Sequence, residues 1–99
     1  MLIRVVRMTF REEEVDNFLQ VFEASKNKIR NFPGCQHLEL LKDYTAPNVF
    51  STYSLWDNQE ALDAYRHSEL FKGVWAQTKP LFSEKAVAFS SKKYIEVQG

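Results

Sequence analysis

Apolar residues along the chain alternate with polar ones or crowd together in four short runs, and they recur at every third or fourth position in two longer ones. Residues 2–10, LIRVVRMTF, are β-branched and apolar with Arg4 and Arg7 interspersed, which predicts a first strand. Val15, Phe18, Leu19, Phe22 and Ile29 then fall on one face of a long amphipathic helix that ends before Pro33-Gly34, and Thr9 and Glu12 stand ahead of it at capping-box spacing. CQHLELLKD at 35–43 and NVFSTYSLW at 48–56 are two strand-like runs separated by YTAP, a turn sequence, and they should form an antiparallel hairpin. Asp57 can cap a second helix that has Glu60 at its third position and Ala61, Leu62 and Tyr65 on its inward side. Capping chemistry recurs at Ser68, ahead of Leu70, Phe71, Val74 and Trp75, so this helix is expected to break near His67-Ser68 and to close at Pro80. The last run, KAVAFSSKKYIEV, alternates and predicts a fourth strand with a lysine-rich end.

The order β-α-β-β-α-β predicts an α+β chain of the ferredoxin-like kind, a four-stranded antiparallel sheet with its helices on one face. It would form a single domain over residues 1–99, with a core from about residue 2 to residue 95 and a short polar tail. Strand one carries Ile3 and Val5 on one face and Leu2, Val6, Met8 and Phe10 on the other, so both faces of the sheet call for burial although the helices cover only one. A second copy of the same sheet is the simplest cover, which predicts a homodimer.

Composition narrows the partners. At 99 residues the chain holds one core at most, and with 44% apolar and 14% aromatic residues it should fold. Thirteen basic and thirteen acidic side chains cancel, which argues against nucleic acid and against an anionic membrane surface. No apolar run approaches the roughly 20 residues of a membrane span, and the start turns acidic where a signal peptide would stay apolar, so a cytoplasmic location is expected. Cys35 is the only cysteine, which excludes an internal disulfide; with two histidines it makes no zinc-ligand pattern, so no metal is expected, and Cys35 reads as a small buried residue without a role.

FPGCQHLELLKD at 32–43, the strand ending in Trp56 and WDNQEALDAYRHSELFK at 56–72 together resemble the antibiotic biosynthesis monooxygenase family, small dimeric α+β barrels, over nearly the whole chain. The resemblance implies a small aromatic, quinol or polyketide-like substrate, molecular oxygen as the partner in reaction and no cofactor. The residues that haem-degrading members use are absent: no Asn precedes Asn17, and Tyr65 and Trp75 stand where those members have Trp and His. The histidines of quinol-type members are replaced by Tyr65 and Leu70, and the Asn and Trp of phenol-oxidising members become Thr52 and Trp56.

Oxygenation without metal or flavin needs a substrate anion in a dry cavity, hence a base, an anion stabiliser and aromatic walls. His37 and His67 are the side chains whose ordinary pKa suits a base near neutrality, and Tyr65 could hydrogen-bond a substrate oxygen. The expected catalytic set is therefore Tyr65, His67 and His37. Arg4 or Arg7 could stabilise the anion if either faces the cavity, and the expected substrate contacts are Trp56, Thr52, Arg7 and Phe71. Each has a plainer alternative: Trp56 and Trp75 as packing, Tyr65 as an inert core phenol, His67 as a solvated residue at a helix break. The competing function is a non-catalytic dimeric barrel that binds a small molecule or a partner protein.

Overall fold

The computed structural model describes residues 1–99. Strand β1 (Leu2–Thr9) leads through a 3-10 turn at Glu12–Glu14 into α1 (Val15–Arg30). The hairpin β2 (Cys35–Lys42) and β3 (Val49–Trp56) follows, then α2 (Gln59–Arg66), α3 (Glu69–Thr78), a 3-10 turn at Lys79–Leu81 and β4 (Val87–Ser91). The strands form one antiparallel sheet in the order β2-β3-β1-β4, the ferredoxin-like α+β architecture expected from the chain. No helix is long and apolar enough to cross a membrane.

Register assigns the faces. Leu2, Arg4, Val6 and Met8 of β1 lie opposite Trp56, Ser54, Thr52 and Phe50 of β3, and these positions look toward the helices. Phe10, Phe18, Phe50 and Met8 make one core cluster; Phe10 stacks on Phe18 with ring centroids 4.1 Å apart. Trp56, Leu62 and Cys35 make a second cluster at the other end of the sheet. Full burial of a side chain such as Phe10 or Leu62 contributes about 1.5–3 kcal/mol, so these two clusters hold the helices to the sheet. On the opposite face Ile3 and Val5 pair with Leu55 and Tyr53, and Val87 and Phe89 of β4 stand half exposed beside them.

Several local expectations are corrected. Thr9 caps nothing, because β1 continues through it; α1 is entered by the 3-10 turn with no side-chain cap. Leu19 leaves the buried stripe of α1, where Phe18, Ser25 and Ile29 are the buried positions. The cap of α2 is Asn58 rather than Asp57: its side chain accepts the Ala61 N–H at 2.9 Å, while Asp57 accepts Gln36 Nε2. The break between α2 and α3 falls where expected, with Ser68 accepting the Phe71 N–H at 3.1 Å. The fourth strand ends at Ser91, and Tyr94, Ile95 and Val97 are exposed beyond it, since no neighbouring strand reaches that far to pair with them.

Gly34 closes the approach of α1 to β2 with a φ of 90°, a conformation open to glycine at little cost. A Cβ placed there would be driven into the Ala61 side chain at the start of α2, so this glycine serves both the turn and the helix packed over it.

Candidate functional site

Between the helix-facing side of the sheet and the three helices lies a cavity of about 300 Å³ whose walls are mostly hydrophobic. The sheet contributes Arg4, Val6, Thr52, Ser54 and Trp56; α1 contributes Phe18, Phe22 and Ile29. Leu62, Tyr65 and Arg66 come from α2, and Phe71, Val74 and Trp75 from α3. Ala86, just before β4, and Ala88 on it border the cavity, where small side chains leave the space open.

Pairing positions its polar groups. Arg4 lies between Ser54 on β3 and Ser90 on β4, both too small to fill the space above the sheet, so the long side chain extends into the cavity. Its Nη1 donates to Ser90 Oγ at 3.1 Å. Burial, with Arg66 repelling it, holds Arg4 below the ordinary arginine value. The Ser54 hydroxyl accepts the Trp56 indole N–H at 2.9 Å and so satisfies a side chain that is 1% exposed.

An aromatic wall builds out from Trp56. Tyr65 stacks on it at 4.9 Å, Phe32 and Phe71 meet the Tyr65 ring edge-on at 5.4 and 5.2 Å, and Trp75 stacks on Phe71 at 5.8 Å. Burial raises the Tyr65 phenol well above its ordinary value, so at neutral pH it can donate a hydrogen bond and cannot serve as a base.

Four of the seven expected site residues, Tyr65, Trp56, Thr52 and Phe71, come together on this cavity. The other three do not. Arg7 has the parity of Val5 and not of Arg4; it leaves by the opposite face and pairs there with Asp43 at 3.3 Å. His37 lies on that same outer face, 2.8 Å from Glu39 and edge-on to Tyr53. His67 is exposed at the α2–α3 junction, its Nδ1 2.8 Å from the Asp63 carbonyl, so it closes a helix end. The choice between Arg4 and Arg7 falls to Arg4 because alternation puts Arg4 in phase with Met8 and Phe10. Arg66 and Trp75 were missed as cavity residues. Trp75 gave the helical spacing of a core residue and is one, but its half-buried ring also faces the open space.

The family model for antibiotic biosynthesis monooxygenases matches residues 1–77, and comparison with curated proteins returned no match. A solved structure described as an antibiotic biosynthesis monooxygenase superposes with a TM-score of 0.90 at 20% identity, over 96% of this chain and 100% of its own. A conserved protein from Methanosarcina mazei Go1 gives 0.89 at 18% identity, over 95% of this chain and 94% of that one. Rv0793 from Mycobacterium tuberculosis gives 0.88 at 16% identity, over 98% of each. At such identities these structures establish the fold alone. The family match covers most of the chain, including β1, the hairpin and the helices that wall the cavity, and by it the chain belongs to the antibiotic biosynthesis monooxygenase family.

Proposed function

We propose that this chain is a homodimeric monooxygenase that binds a small aromatic, quinol or polyketide-like molecule between sheet and helices and oxygenates it with the substrate's own electrons. The observation that carries the reading is the cavity itself: apolar and aromatic walls around one protonated phenol, Tyr65, and one half-buried guanidinium, Arg4. Such walls exclude water and accept a flat molecule, while the guanidinium and the phenol can both donate to a phenolate or enolate oxygen.

For an anthrone-like methylene the chemistry balances without a further reductant. The substrate loses a proton to give its anion, which passes one electron to O2; the resulting radical pair joins to form a C–O bond. Loss of the second C–H proton then breaks the O–O bond, leaving C=O on the substrate and one molecule of water, so both electron pairs come from the two C–H bonds. The role of the protein is to hold the anion and keep the radical pair together in a dry space.

The outer face of the sheet, with Ile3, Val5, Tyr53, Leu55 and Phe89 side by side, supports the dimer: a second copy would cover it by two-fold packing of like on like.

A second reading has its own support. Neither a histidine nor a carboxylate lines the cavity, so a barrel that binds a small molecule without converting it accounts for the same walls. Oxygen uptake by the purified, metal-free protein with a panel of hydroquinones and anthrone-like phenols separates the two. Turnover above the spontaneous oxidation, reduced in Tyr65→Phe, is the expected result; absence of turnover across the panel would establish the binding barrel instead.

A further inference from the structure

Resting on the reading of this cavity as the substrate site, we propose that its ligand enters already as an anion, an acidic phenol, enol or carboxylate whose charged oxygens are drawn to Arg4 and Arg66 while its aromatic body lies against Phe71 and Trp75. Arg4 on β1 and Arg66 on the last turn of α2 line one cavity that has no acidic side chain in its wall. Neither takes part in any ion pair of the chain, whose five pairs are Arg7–Asp43, Lys26–Glu23, His37–Glu39, Lys72–Glu69 and Lys93–Glu96. The one side-chain partner of Arg4 is the neutral hydroxyl of Ser90.

Two cations on one apolar cavity without a counter-ion repel each other, and Arg4, the half-buried one, also loses hydration there, while Arg66 keeps contact with solvent. The depression of Arg4 by burial and by Arg66 reflects that unrelieved arrangement. An incoming anion supplies the missing charge to both at once, and guanidinium groups bind planar oxyanions through paired hydrogen bonds. Position at a helix C-terminus accounts for a cation at Arg66 but not for a second, half-buried one on the facing strand.

The missing base then has an explanation. A cavity with a net positive wall selects the ionised form of a weak acid directly from solution, and proton removal by a side chain is not required. Substrates of this site would be compounds acidic enough to be partly ionised near neutrality, and neutral, weakly acidic phenols of the same shape would bind less well.

Calorimetric titration with 2-naphthoate and with its neutral isostere 2-naphthamide tests this on the intact chain. Wild type should bind 2-naphthoate at least about tenfold more tightly, the size of one charge-assisted hydrogen bond. Arg4→Gln and Arg66→Gln should each erase most of that preference while leaving 2-naphthamide binding in place, which also reports that the variant is folded. Equal affinity for the two probes in wild type, a preference that survives in both variants, or no binding of 2-naphthoate would overturn the proposal. Binding of 2-naphthamide alone would do so while leaving the aromatic cavity standing, and a failure of oxygen uptake would remove the oxygenase reading without touching the charge preference.

Discussion

The Tyr65 ring lies flat on the Trp56 indole, centroids 4.9 Å apart and planes 26° from parallel, so a residue of α2 is fixed to the last residue of β3. Trp56 is in turn held by its own hydrogen bond to Ser54, two residues back on the same face of the strand. Sheet and helix therefore meet at one aromatic joint, and the phenol at the cavity wall takes its place from it.

Tyr65 should be the tyrosine that resists ionisation. Its folded value is raised, so the folded state holds the proton more tightly than the unfolded chain. The stability this confers is complete below the unfolded value of about 10 and is lost as pH climbs from there through the raised folded value. Alkaline spectrophotometric titration of wild type against Tyr65→Phe should show the missing tyrosine to be one that ionises late; a difference spectrum that develops near the ordinary value would contradict the burial of the phenol.

Ser54→Ala removes the acceptor for the Trp56 indole and leaves a buried N–H without a partner. The expected loss is about 1–3 kcal/mol in denaturant unfolding. An unchanged midpoint would mean that the indole finds another acceptor.

Gly34→Ala meets two obstacles together, a positive φ and the Ala61 side chain. A cost of at least about 1–3 kcal/mol is expected, read as a lowered Tm. Pairing it with Ala61→Gly relieves the collision but not the backbone strain, so the double variant should recover only part of the loss.

Val5→Asp places a carboxylate at the centre of the outer sheet face, beside Tyr53 and Phe89. Sedimentation velocity should show a dimer for wild type and a monomer for the variant. A wild-type monomer at micromolar concentration would remove the dimer from the proposal.

Asn58→Ala deletes the side-chain acceptor at the start of α2 and should cost about 1 kcal/mol. The same substitution at Asp57, whose side chain accepts from Gln36 and makes no hydrogen bond to the first turn of the helix, should cost less.

Element order and sheet class were legible because they rest on periodicity: the alternation of β1 and the 3–4 spacing of Phe18, Phe22 and Ile29 survive into the structure. Caps were read less well, since Asp57 and Asn58 are both competent and only the backbone path decides which one faces Ala61 N. The length of β4 was over-read because its pattern continues through Tyr94 and Ile95 while its only partner, β1, ends its pairing at Ile3. In the site, Trp56, Thr52, Tyr65 and Phe71 were found through the resemblance, whereas the histidines were named for their pKa alone. A titration range says nothing of direction, and His37 and Arg7 both carry the parity of the outer face. Arg66 gave no signal, because a basic residue at a helix end is ordinary and becomes notable only when Arg4 is seen across from it.

The extended backbone at Ser68 redirects the chain between α2 and α3 and turns what would have been one rod into two. A straight rod would lay its aromatic residues in a single stripe; here Tyr65 and Phe71 stand one on each side of the break, and their rings meet edge-on 5.2 Å apart. The helical wall is thus a corner, and the outline of the molecules it accepts is governed by the setting of that corner as much as by the identity of the residues on it. A change at Ser68 or His67 that altered the angle between the two helices would reshape the accepted ligand with every cavity side chain left in place.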